Sequence, residues 1–526
     1  MTDPTFNLIS EPFVPCQRTN GERAELGLRD LLVQAHELSA IRDDSPLVTT
    51  ALLRLAVALV HATHDLKGVE GVDKWEALWN AGQLNADKID NYFNEWSGSF
   101  DLFDADRPFY QAWPKEGQPW ELPPDKRKGT NELAQELSGG NNAVLFDHTR
   151  DADSPTLSAA AAARYLIANQ TFAAGGGVSA TGSRTASPLV GKVVTTLAGK
   201  TLFHTLLLNA IPNDELAESL RQDVSPCWER EEPTFDGPAP DGLLDLYTWQ
   251  PRRIRLHPRP DGTVASLSYA QGRKLKLPDL CFDPMTASKR MKKGGFYPLS
   301  FQDDRDVWRD AETLVQRTAG QDRSHIRPAV LDWLGYLVSE GIVHRDEPVR
   351  LICSGAKNDQ AKIAYWRHET LPLRPAIAGE RELQAKVSDA IGHADKVARR
   401  LGKATLSAAA TLLAPGEGSA DMDAAKRLIE SLGVTRTYWA KLQPAFHDRL
   451  DRLGRIEPED TAGLDRWMAT WRQTVRRAAQ VSYEETAGRL DRSARALQAV
   501  QAGRDRLRSL LYEIDPKERS ESNDRR

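Results

Sequence analysis

The run His61-Ala62-Thr63-His64-Asp65 is the most enzyme-like cluster in the chain. A His-Asp doublet, joined by further imidazoles and carboxylates, can hold metal ions that activate water for phosphoester hydrolysis. His61 and His64 stand three residues apart on an apolar helical stretch and so share a face. No second histidine-rich helix supplies the missing ligands. His61, His64 and Asp65 therefore define an alternative, an HD-type metal-dependent phosphohydrolase or nuclease, against a doublet that occurs by chance. Gly175-Gly176-Gly177-Val178-Ser179-Ala180 matches G-x-G-x-x-A on paper, but it follows a helix where a dinucleotide fingerprint follows a strand. Gly191-Lys192-Val193 lacks the first glycine and the hydroxyl residue of a phosphate loop. Three successive glycines raise the entropic cost of folding, which a flexible linker or a close backbone approach to a ligand would explain.

Three further groups carry polar chemistry suited to nucleic acid. Arg273, Lys274 and Lys276 follow Gly272 just after a strand, as a solvated face or as a lysine aimed at a phosphate or base edge. Asn358-Asp359-Gln360 forms a hairpin tip, ordinary turn chemistry or amides able to wedge into a groove. Arg252, Arg253 and Arg255 lie along one strand, with Arg253 and Arg255 on the same face, as a surface strand or an RNA or protein contact.

The elements that must position these residues are of two kinds. A short strand is expected over 7–15, helices over 27–39, 45–66 and 157–170, and a packed aromatic segment over 95–124. Polar residues 128–156 predict a long surface loop, and such loops are often functional. Hairpins are expected around Pro260-Asp261-Gly262 and over 348–366. From 381 the pattern becomes four amphipathic stretches, near 381–413, 421–453, 460–487 and 489–513, broken by glycines and one proline. The fold class is thus α+β: a large mixed N-terminal domain with β-hairpins over 1–380, a C-terminal four-helix bundle over 381–513, and a disordered tail over 514–526.

The 526 residues carry 69 Lys+Arg against 74 Asp+Glu, a net charge of −5. Residues 381–526 hold 27 basic and 22 acidic side chains, leaving 42 and 52 in front, so an acidic front hides a basic bundle. This composition excludes wholesale disorder and a strongly basic chromatin-type protein. Cys16, Cys227, Cys281 and Cys353 form no CxxC pair, so reduced thiols are expected and a zinc ribbon is not. The most apolar stretch, Leu47 to Ala62, contains Arg54 and falls short of the roughly 18 apolar residues of a membrane span. A cytoplasmic protein is expected.

Several segments, taken in order, resemble the large subunit (CasA) family of Cascade, the type I-E CRISPR surveillance complex. They are NLISEPFVP, FDLFDADRPFYQ, NNAVLFDH at 141–148, the helix leading into AAGGG, TWQPRRIRL, FDP after the lysine pair, and the hairpin ending in NDQ. The resemblance covers nearly the whole chain. It implies a non-catalytic subunit without cofactors. Its partners would be the crRNA-containing complex with its backbone, small and other subunits, double-stranded target DNA, and the helicase–nuclease of the interference step. It implies no membrane. By position, it places a glycine loop on Ala174, Gly175, Gly176 and Gly177, and a lysine finger on Lys274 with Lys276 in reserve. It also places a glutamine wedge on Gln360 beside Asn358 and Asp359. These would read the protospacer-adjacent motif. A loop over 128–148, centred on Asn142, Ala143, Val144, Leu145 and Phe146, would contact the RNA handle and neighbouring subunits.

Overall fold

The computed structural model describes residues 4–111, 122–134, 154–179, 182–222, 225–230, 239–277, 282–318, 323–359, 362–414, 420–490 and 493–514. The chain divides into two compact units. The first comprises Met1–Asp303, Thr318–Val343 and Pro348–Thr370; the second comprises Asp304–Arg317, His344–Glu347 and Leu371–Arg526. Small antiparallel sheets in the first unit and long helices in the second make the fold α+β.

The first unit is organised around the Pro46–His64 helix, which is buried on nearly every face. Ser45 caps it, accepting from the Val48 N–H, and Pro46 occupies its first turn, where a missing N–H costs nothing. At 19 residues it is long and apolar enough to cross a membrane, contrary to the expectation from sequence. Its role follows instead from its surroundings, because 83% of the apolar window is buried inside the protein. Arg54, midway along, is paired with Asp283 at 2.5 Å. The strand expected over 7–15 begins only at Val14 and runs to Arg18. The Asn7 side chain accepts from the Ile9 N–H, and its carbonyl from Ser10 and Glu11, so these residues turn instead. The helix expected over 27–39 ends at Val33, and Leu38–Ile41 pairs with the first strand.

Both expected hairpins form. Arg252–Pro258 pairs antiparallel with Val264–Gln271 around the Pro-Asp-Gly turn. Val349–Asp359 is followed by Lys362–Leu373 and pairs on its other side with Val194–Ala198. Part of the expected 128–156 loop is ordered structure: Lys128–Gly129 adds a short strand beside Leu267 and Ser266. Residues 135–153 lie outside the described segments, and with them Asn142, Ala143, Val144, Leu145 and Phe146.

The second unit contains the long helices Arg381–Leu413, Val434–Leu453, Thr461–Ala487 and Ala494–Ile514. The stretch expected as one helix over 421–453 is two, Met422–Leu432 and Val434–Leu453. Gly433 separates them in the left-handed conformation that ends a helix at low cost. The core here is aromatic: Trp308 packs on Trp439 and Phe446, and Phe446 on Trp471. Residues 515–526 lie outside the described segments.

Candidate nucleic-acid interface

The glycine segment leaves the C-terminal end of the Ala159–Phe172 helix and runs into a two-stranded hairpin, Val178–Ser179 with Gly182–Ser183. Its fit is tight. A Cβ on Gly175 would stand 2.7 Å from the Ala186 nitrogen, and one on Gly177 would stand 2.7 Å from the Arg184 guanidinium. Gly176 and Gly177 have φ of 122° and 72°, a region L-residues seldom occupy. Close backbone approach, rather than a slack linker, accounts for these residues.

Two arginines hold the segment's carbonyls. Arg252 Nη2 donates to the Ala174 carbonyl at 2.8 Å, and Arg184 Nε donates to the Gly176 carbonyl at 2.9 Å. Arg184 is neutralised by Glu132 at 3.0 Å. Arg252 is fully buried; its remaining donors go to the Tyr269 hydroxyl and the Pro251 carbonyl. Tyr269 in turn donates to Asn169, whose amide donates to the Glu132 and Leu133 carbonyls. Arg252 thus faces inward while Arg255, on the other face, donates to the Asp104 and Ala105 carbonyls. Reading the arginine strand as a solvated surface is correct for neither residue. The inward alternation Arg252, Ile254, Leu256 was the available signal.

Gln271 joins the glycine segment to the lysine segment. Its Oε1 accepts from the Thr185 N–H at 2.6 Å, and its Nε2 donates to Thr185 Oγ1 and to the Pro251 and Gly272 carbonyls. Its backbone N–H donates to Ser179 Oγ at 3.0 Å. Nothing in the sequence marked this residue. Beyond it, Arg273 is buried, with its guanidinium 3.7 Å above the Trp249 ring and Nη1 2.6 Å from Asp245. Arg273 is therefore an anchor and not part of the solvated run. Lys274 and Lys276, immediately after it, are exposed.

The third element docks on the same scaffold. The Gly191 N–H donates to the Ala356 carbonyl at 2.9 Å, and a Cβ on Gly191 would stand 2.8 Å from Asn358 Oδ1. Asn358 is half-buried and Asp359 exposed at the end of their strand. Beside them lies an open groove lined by Asp303, Lys357, Tyr365 and Arg367, in which Lys357 pairs with Asp303 at 2.9 Å. Gln360 lies outside the described residues.

The histidine cluster is built differently. His61 and His64 are buried, and burial pushes their pKa values down to about 3 and about 4, so both are neutral at pH 7. His64 Nε2 accepts from the Asn85 N–H at 3.1 Å, and Nδ1 lies 2.8 Å from Thr63 Oγ1. With both its nitrogens engaged, His64 has no lone pair to offer an ion. Asp65 points elsewhere, to Lys67 and Lys74. No group of three His, Cys, Asp or Glu side chains suited to a metal occurs among the described residues. The phosphohydrolase alternative therefore has no support in the structure.

The family model for CRISPR-associated protein Cse1 matches residues 7–481. The chain belongs to this family. CasA/Cse1 of Thermus thermophilus is 30% identical over 528 residues, covering 97% of this chain and 98% of the relative. A solved structure of Thermus thermophilus CasA (Cse1) superimposes with a TM-score of 0.78 at 27% identity, covering 97% and 99% of the two chains. Crystalline Cse1 from Acidimicrobium ferrooxidans gives 0.78 at 26% identity, covering 98% and 99%. A chain of a solved CRISPR RNA-guided surveillance complex shares the fold, with a TM-score of 0.74 at 24% identity over 96% and 100%.

Proposed function

We propose that this Cse1-family chain is the non-catalytic large subunit of a type I-E surveillance complex. In this reading it recognises the protospacer-adjacent motif in double-stranded DNA, promotes duplex opening, and recruits the helicase–nuclease for antiviral defence. The supporting observation is convergence. Gln271 ties the glycine segment to the base of the lysine segment, and Gly191 ties the following turn to the Asn358 strand. Elements separated by 86 residues or more of sequence therefore share one scaffold in the first unit.

The chemistry suits a minor groove. That groove offers a degenerate pattern, so reading it relies on shape and exclusion more than on base-edge donors. Backbone at Ala174 to Gly177 would approach closely because nothing larger than the Ala174 methyl projects from it, exposed Lys274 supplies charge and donors, and Gln360 would enter the base stack. Pairing with the guide then reads the remaining sequence. Residues 381–513 would hold DNA through phosphates, 128–148 would meet the RNA handle and neighbouring subunits, and the complex would work in the cytoplasm.

The test uses the assembled complex with guide RNA. Motif-bearing and motif-free duplexes are titrated against wild type, Lys274→Ala and Gln360→Ala. Each variant should lose most of the discrimination between the two duplexes while retaining the guide RNA. Unchanged discrimination in both variants would overturn the site assignment.

A further inference from the structure

Two elements can read a motif independently or as one body, and the way they are joined decides which. Between the glycine segment and Lys274 the join runs through a buried residue, Gln271. Its backbone N–H donates to Ser179 Oγ at 3.0 Å, and that hydroxyl donates onward to the Gly182 carbonyl at 2.8 Å. Ser179 and Gly182 stand opposite each other in the hairpin that follows the glycines. The Gln271 side chain takes the returning arm: Oε1 accepts from the Thr185 N–H at 2.6 Å, and Nε2 lies 3.2 Å from Thr185 Oγ1. Thr185 follows Arg184, which is paired with the glycines themselves. The Gly176 N–H donates to the Arg184 carbonyl at 2.8 Å, and the Arg184 N–H to the Gly177 carbonyl at 3.1 Å. One residue therefore holds both arms of the glycine hairpin.

The lysine side is anchored as closely. Gln271 Nε2 also donates to the Pro251 and Gly272 carbonyls, each at 3.2 Å. A Cβ on Gly272 would stand 2.4 Å from the Gln250 carbonyl oxygen, so the chain passes hard against that backbone. The Arg273 N–H donates to the same oxygen at 2.9 Å. Its guanidinium is fixed over Trp249 and against Asp245, and exposed Lys274 is the next residue. From Gln271 to Lys274 there is at most about 11 Å of chain, pinned at both Gln271 and Arg273. The Cα from which the Lys274 side chain extends is thus set relative to Gly176 and Gly177.

We propose that Gln271 is a positioning residue that makes the glycine segment and Lys274 discriminate the motif as one body, so that neither contributes in full without the other. Groups already fixed in the geometry of binding need no ordering when the ligand arrives, and that saving is lost to both when the join between them is cut. Gln271 itself is buried and touches no DNA in this arrangement; it acts through Thr185 and Ser179 on one side and through its own backbone on the other. This inference rests on the motif-reading role proposed above.

The experiment is a double-mutant cycle on the assembled, guide-loaded complex. Wild type, Lys274→Ala, Gln271→Met and the double variant are titrated with motif-bearing and motif-free duplexes, and the ratio of the two affinities is the readout. Methionine keeps the length of glutamine and removes its side-chain hydrogen bonds. Gln271→Met should lower the ratio about tenfold, within the range seen for residues of one hydrogen-bond network, with motif-free affinity and guide RNA content unchanged. In that background Lys274→Ala should cost less than about a further threefold. Losses that simply multiply in the double variant would overturn the proposal. So would an unchanged ratio with a lowered thermal midpoint, the mark of a residue that only stabilises the fold. If Gln271→Met does not assemble, Ser179→Ala decides: it removes one acceptor of the clamp and should cut the ratio about threefold, and no change there would overturn the proposal. Absence of motif discrimination in the wild type would defeat the proposed function, whereas the cycle decides on Gln271 alone.

Discussion

Arg54 and Arg252 are both buried in the first unit and are treated in opposite ways. Arg54 meets a carboxylate: both its Nη atoms reach Asp283, and its guanidinium lies 4.0 Å over the Tyr247 ring. Burial is the largest single influence and lowers its pKa, but the Asp283 charge and hydrogen bond, with Tyr247 and Tyr110, together hold it above the ordinary value. Arg252 has no carboxylate partner among the described residues and spends its donors on two carbonyls and a phenol. One charge is cancelled to close a core. The other is met by neutral groups, among them the backbone carbonyl of Ala174, at the start of the segment proposed to meet DNA. A buried charge left uncancelled is costly, and it is tolerated where it fixes a backbone that must hold its shape.

The comparison can be broken first at the paired site. Asp283→Ala leaves Arg54 charged and alone in the core, so denaturant titration should show a loss of about 3–5 kcal/mol. Adding Arg54→Met should recover much of it, because a buried pair is often replaceable by apolar side chains. At the uncancelled site, Arg252→Met removes charged hydrogen bonds worth about 1.5–3 kcal/mol each but also relieves desolvation, so a net loss of about 1–3 kcal/mol is expected. Its larger consequence should be in motif discrimination by the assembled complex, with guide RNA retained. If Arg252→Met weakened stability alone, the contrast between a core pair and a loop-holding charge would fail.

The histidines sharpen the contrast, because they lose their charge where the arginines cannot. Unfolded histidine titrates near about pH 6.5, whereas folded His61 and His64 take a proton only near 3 and 4. Below about pH 6.5 the unfolded chain therefore binds more protons. Stability is whole at neutral pH and falls on acidification, by up to about 1.4 kcal/mol per pH unit for each histidine. His61→Leu should flatten that slope by one histidine's share when denaturation midpoints at about pH 7.5 and about pH 5 are compared with wild type.

Local patterns in the sequence carried the hairpins, the long helices and the glycine segment, because period, turn residues and breakers are properties of neighbours. The partners of buried charges are not. Arg54 looks like an interruption of an apolar run until Asp283, 229 residues away, is beside it. Arg252 looks like one of three surface arginines, although its strand alternation already turned it inward. Gln271 carried no signal at all, since its meaning lies in long-range hydrogen bonds and not in its flanks. The helix boundaries slipped for a related reason: Leu38–Ile41 has apolar ends compatible with a helix, and pairing with the first strand decided otherwise. The histidine run misled in the other direction, as residue types suited to chemistry became ordinary core on burial.

The clamp at Gln271 has a consequence in time. Ser179, which accepts its backbone N–H, precedes it by 92 residues. A ribosome adding about 5–20 residues per second needs roughly 5–20 s to cover that distance. Throughout that interval the glycine segment has only earlier partners such as Arg184 and lacks the Gln271 clamp. The Ala356 carbonyl that holds Gly191 arrives later still. The shape assigned to DNA recognition is thus among the last features of the first unit to be set, and a chain cut short before residue 271 has the glycines without the amide that secures them.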